Sequence, residues 1–413
     1  MSFRRLGESG LTGGSVTLDR VKRGRLCTGC GACAALVDKI RIEPSSDGFN
    51  RPVPKALLNW QEDQRIAKVC PGLRLQCDGE DRSDPLWGRV VSLRTGHARG
   101  PALRFRSASG GALSAILVYL VEHGLVDFIV HTAADPANPM ANRTVASSSR
   151  DEIANAAGSR YAPSSPLAEL ERYLARGKRF AFVGKPCDVS ALRQMARQDC
   201  RINAQIPYML SFFCAGVPSR KGAEEVLRDM AVDPAEVTRF RYRGNGWPGA
   251  TTARLSDGTE REMSYRASWG GILSKHVQFR CKICPDGTGR DADIVCADAW
   301  HGDAKGYPNF EEAEGRSLIL CRTPKGEAIL QEALSSGLLD ASDESLEILP
   351  SMQPGQATRM RVLIARLVAL IVTLQPAPIY RGFSLWKAAR HAGLWALLQN
   401  FLGTGRRVLA GRR

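Results

Sequence analysis

The sequence predicts a mixed α/β (α+β) protein built in three parts, and three observations carry this prediction. Strand-like apolar runs alternate with helical patterns between residues 87 and 350. A cysteine-rich segment precedes that body, and a basic segment without acidic residues follows it. Since strand, turn and helix alternate in the body, its functional residues are expected at the ends of strands.

The body shows a regular succession of predicted elements. Two further features are a hairpin region over residues 237–265 and a helix that runs to Met230 after a turn at Cys214. The remaining patterns predict strands at 90–94, 128–131, 179–183, 208–213 and 317–321, and helices at 112–123, 189–197 and 325–335.

Length and composition are those of a globular protein with several domains. The chain has 413 residues, of which 44% are hydrophobic and 24% are charged, so wholesale disorder is excluded. No apolar run reaches the length of about 18 residues expected of a membrane-spanning helix. The polar start from Met1 to Gly14 lacks the apolar centre of a secretory signal. We therefore expect a cytoplasmic protein whose cysteines are reduced.

The segmentation follows composition. Residues 1–22 are polar and predict a loose N-terminus, and residues 23–80 form the cysteine-rich segment. A linker is predicted over residues 77–84, which are rich in Gly and Asp. The body follows from residue 87, and residues 356–413 form a basic tail that we expect to be helical.

The first of the cysteine groups indicates an iron–sulfur cluster. Cys27, Cys30 and Cys33 are each separated by two residues, and this spacing allows one backbone turn to present three thiolates to one cubane. Glycines between them permit a tight turn. Cys70, followed by proline as in bacterial ferredoxins, is the predicted fourth ligand. The segment is therefore read as a ferredoxin-like [4Fe–4S] segment.

Two alternatives remain for this group. The first is a zinc site, although zinc sites are typically built from Cys-x2-Cys pairs and not from a triple run. The second is Cys77 in place of Cys70 as the fourth ligand.

A second set of cysteines is spread over the body. Cys281 and Cys284 form a Cys-x2-Cys pair, while Cys187 and Cys214 each lie in a turn after a predicted strand. Since strand ends on one sheet edge converge, these four thiols could meet in space. Cys296 competes for any one of the four places, and Cys200, Cys296 and Cys321 are otherwise expected to be buried free thiols.

At this point the chain resembles a known family: the beta subunits of coenzyme F420 hydrogenases and dehydrogenases, with 7-hydroxymethyl chlorophyll a reductase and a ferredoxin-dependent divinyl chlorophyllide vinyl reductase among its relatives. Seven segments carry the resemblance and, with the ferredoxin-like segment, span about residues 25–335. They are residues 107–117, 184–188, 213–216, 241–247, 268–270, 280–286 and 292–300.

The resemblance implies a domain organisation and a set of cofactors. Residues 87–170 and 171–350 correspond to the N- and C-terminal domains of the family's beta subunit. The implied cofactors are FAD and one or more [4Fe–4S] clusters, two in this chain. Cys187, Cys214, Cys281 and Cys284 then correspond to ligands of the second cluster.

Candidate flavin-binding residues lie in the same segments. Ser109, Gly110 and Gly111 at a helix start could hold the pyrophosphate, and Lys185 could neutralise phosphate or reduced flavin. The full candidate set is Ser107, Ser109, Gly110, Gly111, Ser114, Lys185, Pro186, Asn245, Trp247 and Trp269. For the last three, a turn or ordinary packing is the alternative, as is a solvated lysine for Lys185. His131 and Asp298 are the candidate proton donors, with structural roles as the alternative.

The expected function joins these parts. An iron–sulfur flavoprotein oxidoreductase would pass electrons from ferredoxin or a similar one-electron donor through the clusters to FAD, and on to a small organic acceptor, or the reverse. A deazaflavin, a chlorophyll-like macrocycle and an unsaturated sugar or lipid-linked intermediate all remain open as that acceptor. The alternatives are a non-catalytic electron-transfer subunit of a larger complex and a scaffold with structural or sensory clusters.

The tail accounts for most of the net charge of +15. Residues 356–413 contain nine Arg and one Lys, and no Asp or Glu follows Glu347. The apolar run from Val362 to Leu374 is too short to span a bilayer. Two interpretations remain: an amphipathic contact with an anionic membrane at the inner face, or packing on the body or on another subunit as a homo-oligomer or hetero-complex. Without a recognised nucleic-acid module, nucleic acid is not expected as a partner.

Overall fold

A mixed eight-stranded sheet forms the centre of the body in the computed structural model, which describes residues 14–77, 84–302 and 309–411. The strands are β1 Ile40–Pro44, β2 Asn50–Pro54, β3 Arg74–Gln76, β4 Ser92–Ala98, β5 Phe128–Ala134, β6 Asn142–Ser147, β7 Phe180–Val183, β8 Tyr208–Phe212, β9 Val237–Arg241, β10 Thr251–Leu255, β11 Glu260–Met263, β12 Ile294–Asp298, β13 Ser317–Cys321, β14 Leu339–Asp343 and β15 Ile379–Arg381.

Helices cover the sheet and build the two flanking segments. They are α1 Val16–Arg23, α2 Ala32–Leu36, α3 Trp60–Val69, α4 Pro101–Arg106, α5 Ala112–Glu122, α6 Arg150–Asn155, α7 Leu170–Leu174, α8 Pro186–Ala196, α9 Cys200–Gln205, α10 Arg220–Asp229, α11 Phe279–Lys282, α12 Pro324–Ser335, α13 Leu349–Met352, α14 Pro354–Val372, α15 Leu385–Ala389 and α16 Leu394–Leu409. Short 3₁₀ turns lie at 234–236, 273–276 and 346–348, and a π-helical turn at 266–272.

The strand order of the central sheet is β14-β4-β13-β12-β8-β7-β5-β6. The four strands β12, β8, β7 and β5 are mutually parallel, and the remaining neighbours pair antiparallel. The sequence-based prediction of a mixed α/β fold is therefore confirmed. The parallel strands matter most for function, because their carboxyl ends meet at one edge of the sheet.

The two faces of the sheet bury separate cores because side chains alternate along each strand. On β7, Phe180 and Phe182 face a core that includes α8 and α14, while Ala181 and Val183 face a core that includes α5 and α12. A strand buried on both faces reads as a continuous apolar run, which explains why the sequence 180–183 was recognisable.

Regular structure in the N-terminal segment begins at a lower residue number than the sequence predicts. Residues 1–22 were expected to be loose, but α1 begins at Val16 with Ser15 as its cap. The buried carboxylate of Asp63 accepts hydrogen bonds from the hydroxyls of Ser15 and Thr17 and ties α1 to α3. This long-range contact has no local signature in the sequence. Residues 1–13 lie outside the described residues.

Two other predicted regions have different outcomes. The hairpin region is a three-stranded antiparallel sheet in the order β11-β10-β9. Most of the linker predicted over 77–84 lies outside the described residues, since the structure describes only Cys77 and Asp84 of it.

The basic tail packs on the body. Met360, Leu363 and Leu370 of α14 are buried in the same core as β7 and α8. α15 and α16 pack against α14 in turn, and β15 pairs in parallel with β3 of the N-terminal segment. Within the described residues, no helix has both the length and the apolar character needed to cross a bilayer.

Candidate metal centre and adjoining cavity

The four cysteines of the first group surround one small cavity. Cys27, Cys30, Cys33 and Cys70 all line a space of about 30 Å³, whose other walls are mostly apolar. Burial, followed by the carboxylate of Asp188 and the thiol of Cys70, raises the pKa of Cys30 to about 12. Burial and the thiol of Cys27 raise the pKa of Cys70 to about 11. Four buried thiolates without a counterion are therefore unfavourable, and a metal centre that binds the thiolate form would supply the compensating positive charge.

Glycines allow the chain to wrap around this cavity. Gly31, which begins α2, has φ of +89°, in the left-handed region that side chains rarely adopt. A Cβ atom there would lie 2.6 Å from the backbone nitrogen of Ala168. The sequence Cys-x-x-Cys-Gly-x-Cys is thus close-packed against the body at its glycine.

Cys77 lies apart from the first group. Its thiol is buried beside Asp291 and Asp286, and desolvation followed by these carboxylates raises its pKa. The geometry therefore favours Cys70 over Cys77 as the fourth member of the group around the cavity.

The second set of cysteines also converges. Cys187 is the second residue of α8, which follows β7, and Cys214 follows β8, the neighbouring parallel strand. Cys281 lies in α11 and Cys284 two residues after its end. Beyond burial, the nearby thiols of Cys281 and Cys284 raise the pKa of Cys214 to about 12. Burial, the carboxylate of Asp188 and the thiols of Cys214 and Cys284 raise the pKa of Cys187, and Lys185 opposes them.

The other cysteines stand outside this set. Cys296 and Cys321 are buried on the neighbouring strands β12 and β13, and burial, followed by Cys321, raises the pKa of Cys296. The prediction of a buried thiol is wrong for Cys200, which is exposed at the start of α9. Cys296, the sequence-based competitor, lines the large cavity described below and not the second cysteine group.

No group of three or more His, Cys, Asp or Glu side chains in the described parts of the chain could hold a metal ion. A cubane cluster is larger than a single ion, so its thiolate ligands stand around a volume and not around a point. The donor set in each group, four thiols and no imidazole or carboxylate, fits an iron–sulfur cluster.

The two cysteine groups are joined by side chains between them. Nε2 of Gln278 donates to the carbonyl of Thr28 in the first group at 3.3 Å and to Sγ of Cys281 in the second at 3.6 Å. Nη2 of Arg280 donates to the carbonyl of Pro71, the residue after Cys70, at 2.7 Å. The groups are therefore neighbours in one site.

A larger cavity adjoins the second group at the carboxyl ends of the parallel strands. Its volume is about 320 Å³, at the lower end of the range of small-molecule sites, and Cys214 lies in its lining. The predicted cofactor residues Ser107, Ser109, Gly111, Ser114, Lys185 and Trp269 and the predicted proton donors His131 and Asp298 all line it. Tyr161, Tyr265 and Trp300 add aromatic surface that sequence reasoning missed.

Four predicted cofactor residues lie outside this lining among the described residues: Gly110, Pro186, Asn245 and Trp247. Gly110 packs against the backbone of Gly96 and Ser317, and Pro186 begins α8. Asn245 is an exposed turn residue with φ of +58°, which is the turn alternative given by the sequence. The Trp247 ring is buried and stacks on Trp300 at 4.8 Å.

Lys185 is buried as one member of an ion pair. Its Nζ lies 2.8 Å from Oδ2 of Asp188 and donates to the hydroxyl of Ser164 at 2.8 Å. Burial opposes the charge, but Asp188 and the nearby thiols of Cys187 and Cys214 raise the pKa of Lys185. A permanent positive charge therefore stands between the cavity and the second cysteine group.

Of the two candidate proton donors, Asp298 is the less suited. Its carboxylate accepts hydrogen bonds from both terminal nitrogens of Arg243 at 2.7 Å and from the indole nitrogen of Trp247 at 2.8 Å. Because these three donors engage both carboxylate oxygens, the geometry favours an anchoring role.

His131 is buried and hydrogen-bonded. Burial lowers its pKa to about 4, and its Nε2 pairs with the hydroxyl of Ser147 at 2.8 Å. A neutral imidazole at the cavity wall is thus the resting form near neutrality.

The tail holds the backbone of the second cysteine group, which sequence reasoning missed. Gln356 and Arg359 donate to the carbonyl of Cys214, both at 3.1 Å. Arg366 donates to the carbonyl of Lys282 and Tyr380 to that of Ile283, both at 2.6 Å. Each of these carbonyls belongs to a cysteine of the group or to the turn between Cys281 and Cys284.

Comparison with known families matches most of the body. The models for the N-terminal and the C-terminal parts of the coenzyme F420 hydrogenase/dehydrogenase beta subunit match residues 94–171 and 177–346, respectively. The F420-dependent formate dehydrogenase 1 subunit beta of Methanococcus maripaludis is 27% identical over 243 residues, which are 58% of each chain.

Two further relatives come from different sources. The chloroplastic 7-hydroxymethyl chlorophyll a reductase of Oryza sativa is 26% identical over 56% of this chain and 47% of its own. The coenzyme F420 hydrogenase subunit beta of Methanococcus voltae is 25% identical over 58% of this chain and 79% of its own. The match to the first relatives thus spans about 60% of their length.

A solved structure has the same fold. A chain of the F420-reducing [NiFe] hydrogenase complex from Methanosarcina barkeri superposes with a TM-score of 0.53 at 20% identity. The superposition covers 69% of this chain and 95% of that one.

Proposed function

Because the chain belongs to the coenzyme F420 hydrogenase/dehydrogenase beta-subunit family, we propose that it is an iron–sulfur flavoprotein oxidoreductase. In this proposal, electrons pass between a ferredoxin-type donor and a small organic acceptor by way of two [4Fe–4S] clusters and FAD, in either direction. The observation that carries it is that two four-cysteine groups are neighbours and that the second adjoins the large cavity.

The first cluster would be held by Cys27, Cys30, Cys33 and Cys70, and the second by Cys187, Cys214, Cys281 and Cys284. Such clusters supply one-electron transfer when they are bound. Apolar side chains around the first group exclude water, and this lowers the local dielectric constant.

FAD is the proposed occupant of the larger cavity. A flavin exchanges one or two electrons, and so it links one-electron donors to organic two-electron acceptors. The serines 107, 109 and 114 offer hydroxyls, and the aromatic side chains of Tyr161, Tyr265 and Trp269 offer surfaces for a planar ring. The charge of Lys185 would stabilise an anionic group in the same space.

The partners follow from the same chemistry. Relatives carry the names of beta subunits of hydrogenases and formate dehydrogenases, and we propose that this chain also works in a hetero-complex in the cytoplasm. Should it serve only as a relay subunit, the isolated protein would take up electrons without converting an organic acceptor.

Anaerobic preparation tests the cluster assignment. The protein should contain iron and acid-labile sulfide for two clusters, and the pair Cys281→Ala with Cys284→Ala should remove one cluster's share of both. Cys27→Ala with Cys30→Ala should remove the other share. Exposed Cys200→Ala is the matched control and should change neither.

Each outcome decides between the alternatives. Retention of both clusters in a double variant contradicts the ligand assignment, and clusters without flavin favour the scaffold. A colourless protein free of iron and sulfide contradicts the proposal as a whole.

A cavity-filling substitution tests the flavin. Ser114→Leu places a larger side chain into the cavity and should abolish flavin retention, measured by the fluorescence of released flavin. Ser335→Leu introduces the same change on the exposed face of α12 and should leave the flavin bound. Full retention in Ser114→Leu would place the flavin elsewhere.

A second part of the proposal concerns the tail. Trp386, Leu394, Trp395 and Leu402 of α15 and α16 are more than half exposed, and basic residues surround them. We propose that this surface rests on an anionic membrane at its inner face, because exposed tryptophans with basic neighbours are typical of interfacial helices.

A further inference from the structure

The guanidinium of Arg280 is buried between the two cysteine groups. Arg280 is only 1% exposed. On one side it donates to the carbonyl of Pro71, directly after Cys70, at 2.7 Å. On the other side lie the Tyr380 phenol and the thiols of Cys284, Cys187 and Cys281, which counteract the effect of burial and raise its pKa.

Part of this guanidinium has no protein partner. Nε and Nη1 of Arg280 are buried and make no hydrogen bond to any described residue. An unsatisfied buried donor costs about 1–3 kcal/mol, and more when it is charged. Two such donors beside two groups of thiols indicate an acceptor that the polypeptide does not supply.

The ring of Tyr380 closes the remaining side. The guanidinium carbon of Arg280 lies 5.4 Å from the centroid of that ring, and the Tyr380 hydroxyl, which donates to the carbonyl of Ile283, also interacts with the guanidinium. Among the described residues, the groups that act most strongly on the Arg280 charge are the phenol of Tyr380 and the thiols of Cys284, Cys187 and Cys281. Its positive charge therefore faces sulfur and one aromatic side chain.

We propose that Arg280 is a positioning residue that raises the reduction potentials of both clusters, by donating Nε–H and Nη1–H to cluster or cysteine sulfur. The inference rests on the two clusters of the proposed function. Reduction adds one electron and no proton to a cluster, so a fixed positive charge nearby stabilises the reduced form. Hydrogen bonds to the sulfurs act in the same direction.

Arg359 offers a matched comparison. It is hydrogen-bonded to the carbonyls of Cys214 and Ala215, and its charge lowers the pKa of Cys214 and Cys284. It is absent from the groups that act on Cys30, Cys33 and Cys70, whereas Arg280 acts on Cys70. Arg359 thus neighbours one group and Arg280 both.

The test is a redox titration of anaerobically prepared protein followed by electron paramagnetic resonance. Arg280→Gln should make reduction of both clusters at least tenfold less favourable, which is a shift of about 59 mV to lower potential for a one-electron couple. Arg359→Gln should shift only the second cluster. The double variant Cys281→Ala with Cys284→Ala identifies the signal of the first cluster.

A second variant guards against misfolding. Arg280→Lys keeps the positive charge but lacks the Nε–H and Nη1–H donors of the guanidinium. It should shift the reduction potentials less than Arg280→Gln does. Normal iron and sulfide content with unchanged potentials in Arg280→Gln would overturn the inference and leave the clusters standing. Loss of one or both clusters in Arg280→Gln but not in Arg280→Lys would support contact with sulfur. Absence of clusters from the unaltered protein would instead contradict the proposed function.

Discussion

His131 is neutral in the folded protein near neutral pH, and its burial makes the stability of the protein depend on pH. Burial lowers the pKa of this imidazole to about 4, while an unfolded histidine titrates near 6.5. Between these values the unfolded chain binds the additional proton, so stability falls as pH falls from about 6.5 to 4. The loss amounts to about 3 kcal/mol at most.

Urea unfolding at pH 7.5 and at pH 5 measures this dependence. His131→Asn should unfold with a smaller difference between the two pH values than the unaltered protein. His391→Asn changes an exposed histidine and serves as the control. Any loss of stability at pH 5 that arises from other groups affects both variants equally. An equal difference in all three proteins would contradict the burial argument.

Gly31 supports a prediction at the same scale. A Cβ there needs left-handed backbone and meets the backbone nitrogen of Ala168 at 2.6 Å. Gly31→Ala should cost about 2–5 kcal/mol, from strain and overpacking together, and should lower the iron content. Gly124→Ala also has positive φ but meets no atom within 4 Å, so its cost should be about 1–2 kcal/mol. The free energy of unfolding should therefore separate the two variants.

At the scale of elements, strand ends explain why dispersed cysteines could be grouped. Cys187 and Cys214 follow β7 and β8, which are parallel neighbours, and so each turn opens at the same edge. Their apolar strands were visible in the sequence because both faces are buried. The tail's contacts were not visible, since Arg359 lies 145 residues from Cys214 and nothing local marks the pairing.

Tyr380 of β15 is expected to stabilise the second cysteine group, which is a role separate from membrane contact by the tail. Tyr380 packs beside Arg280 and holds the carbonyl of Ile283, between the cysteines of the second group. Tyr380→Ala should therefore release iron from the second cluster and leave the first in place. Exposed Trp386→Ala should leave the iron content unchanged. Equal iron in both variants, measured after gel filtration, would show that the tail does not support the second group.

Across the whole molecule, the tail combines two surfaces. One surface of α14 and α16 is buried against the body, with Leu363 and Val408 in the main core. The sequence-based alternatives of packing on the body and contact with a membrane are therefore compatible. Truncation after Pro354 would remove core residues such as Leu363, and so it cannot test membrane contact by itself.

Substitutions on the exposed surface test the membrane proposal without disturbing the core. Leu394, Trp395, Leu398, Leu402 and Leu409 recur at helical spacing on α16, and all are exposed. Burying a side chain of this size in a lipid interface contributes about 1.5–3 kcal/mol, so Trp386→Ala with Trp395→Ala should weaken binding to anionic vesicles at least tenfold. Flotation with vesicles of phosphatidylglycerol and phosphatidylcholine measures this loss.

Charge gives the same experiment its second readout. Each basic residue near an anionic surface contributes about 1 kcal/mol, and salt screens that attraction. Flotation should therefore fall with added salt and be weak on vesicles of phosphatidylcholine alone. Exposed Leu57→Ala, on the N-terminal segment, should float like the unaltered protein. The unaltered protein could instead fail to float on anionic vesicles and form a stable dimer through Trp395. The exposed apolar residues of α16 would then be a protein interface, because a large exposed apolar patch that does not bind lipid is typically covered by another chain.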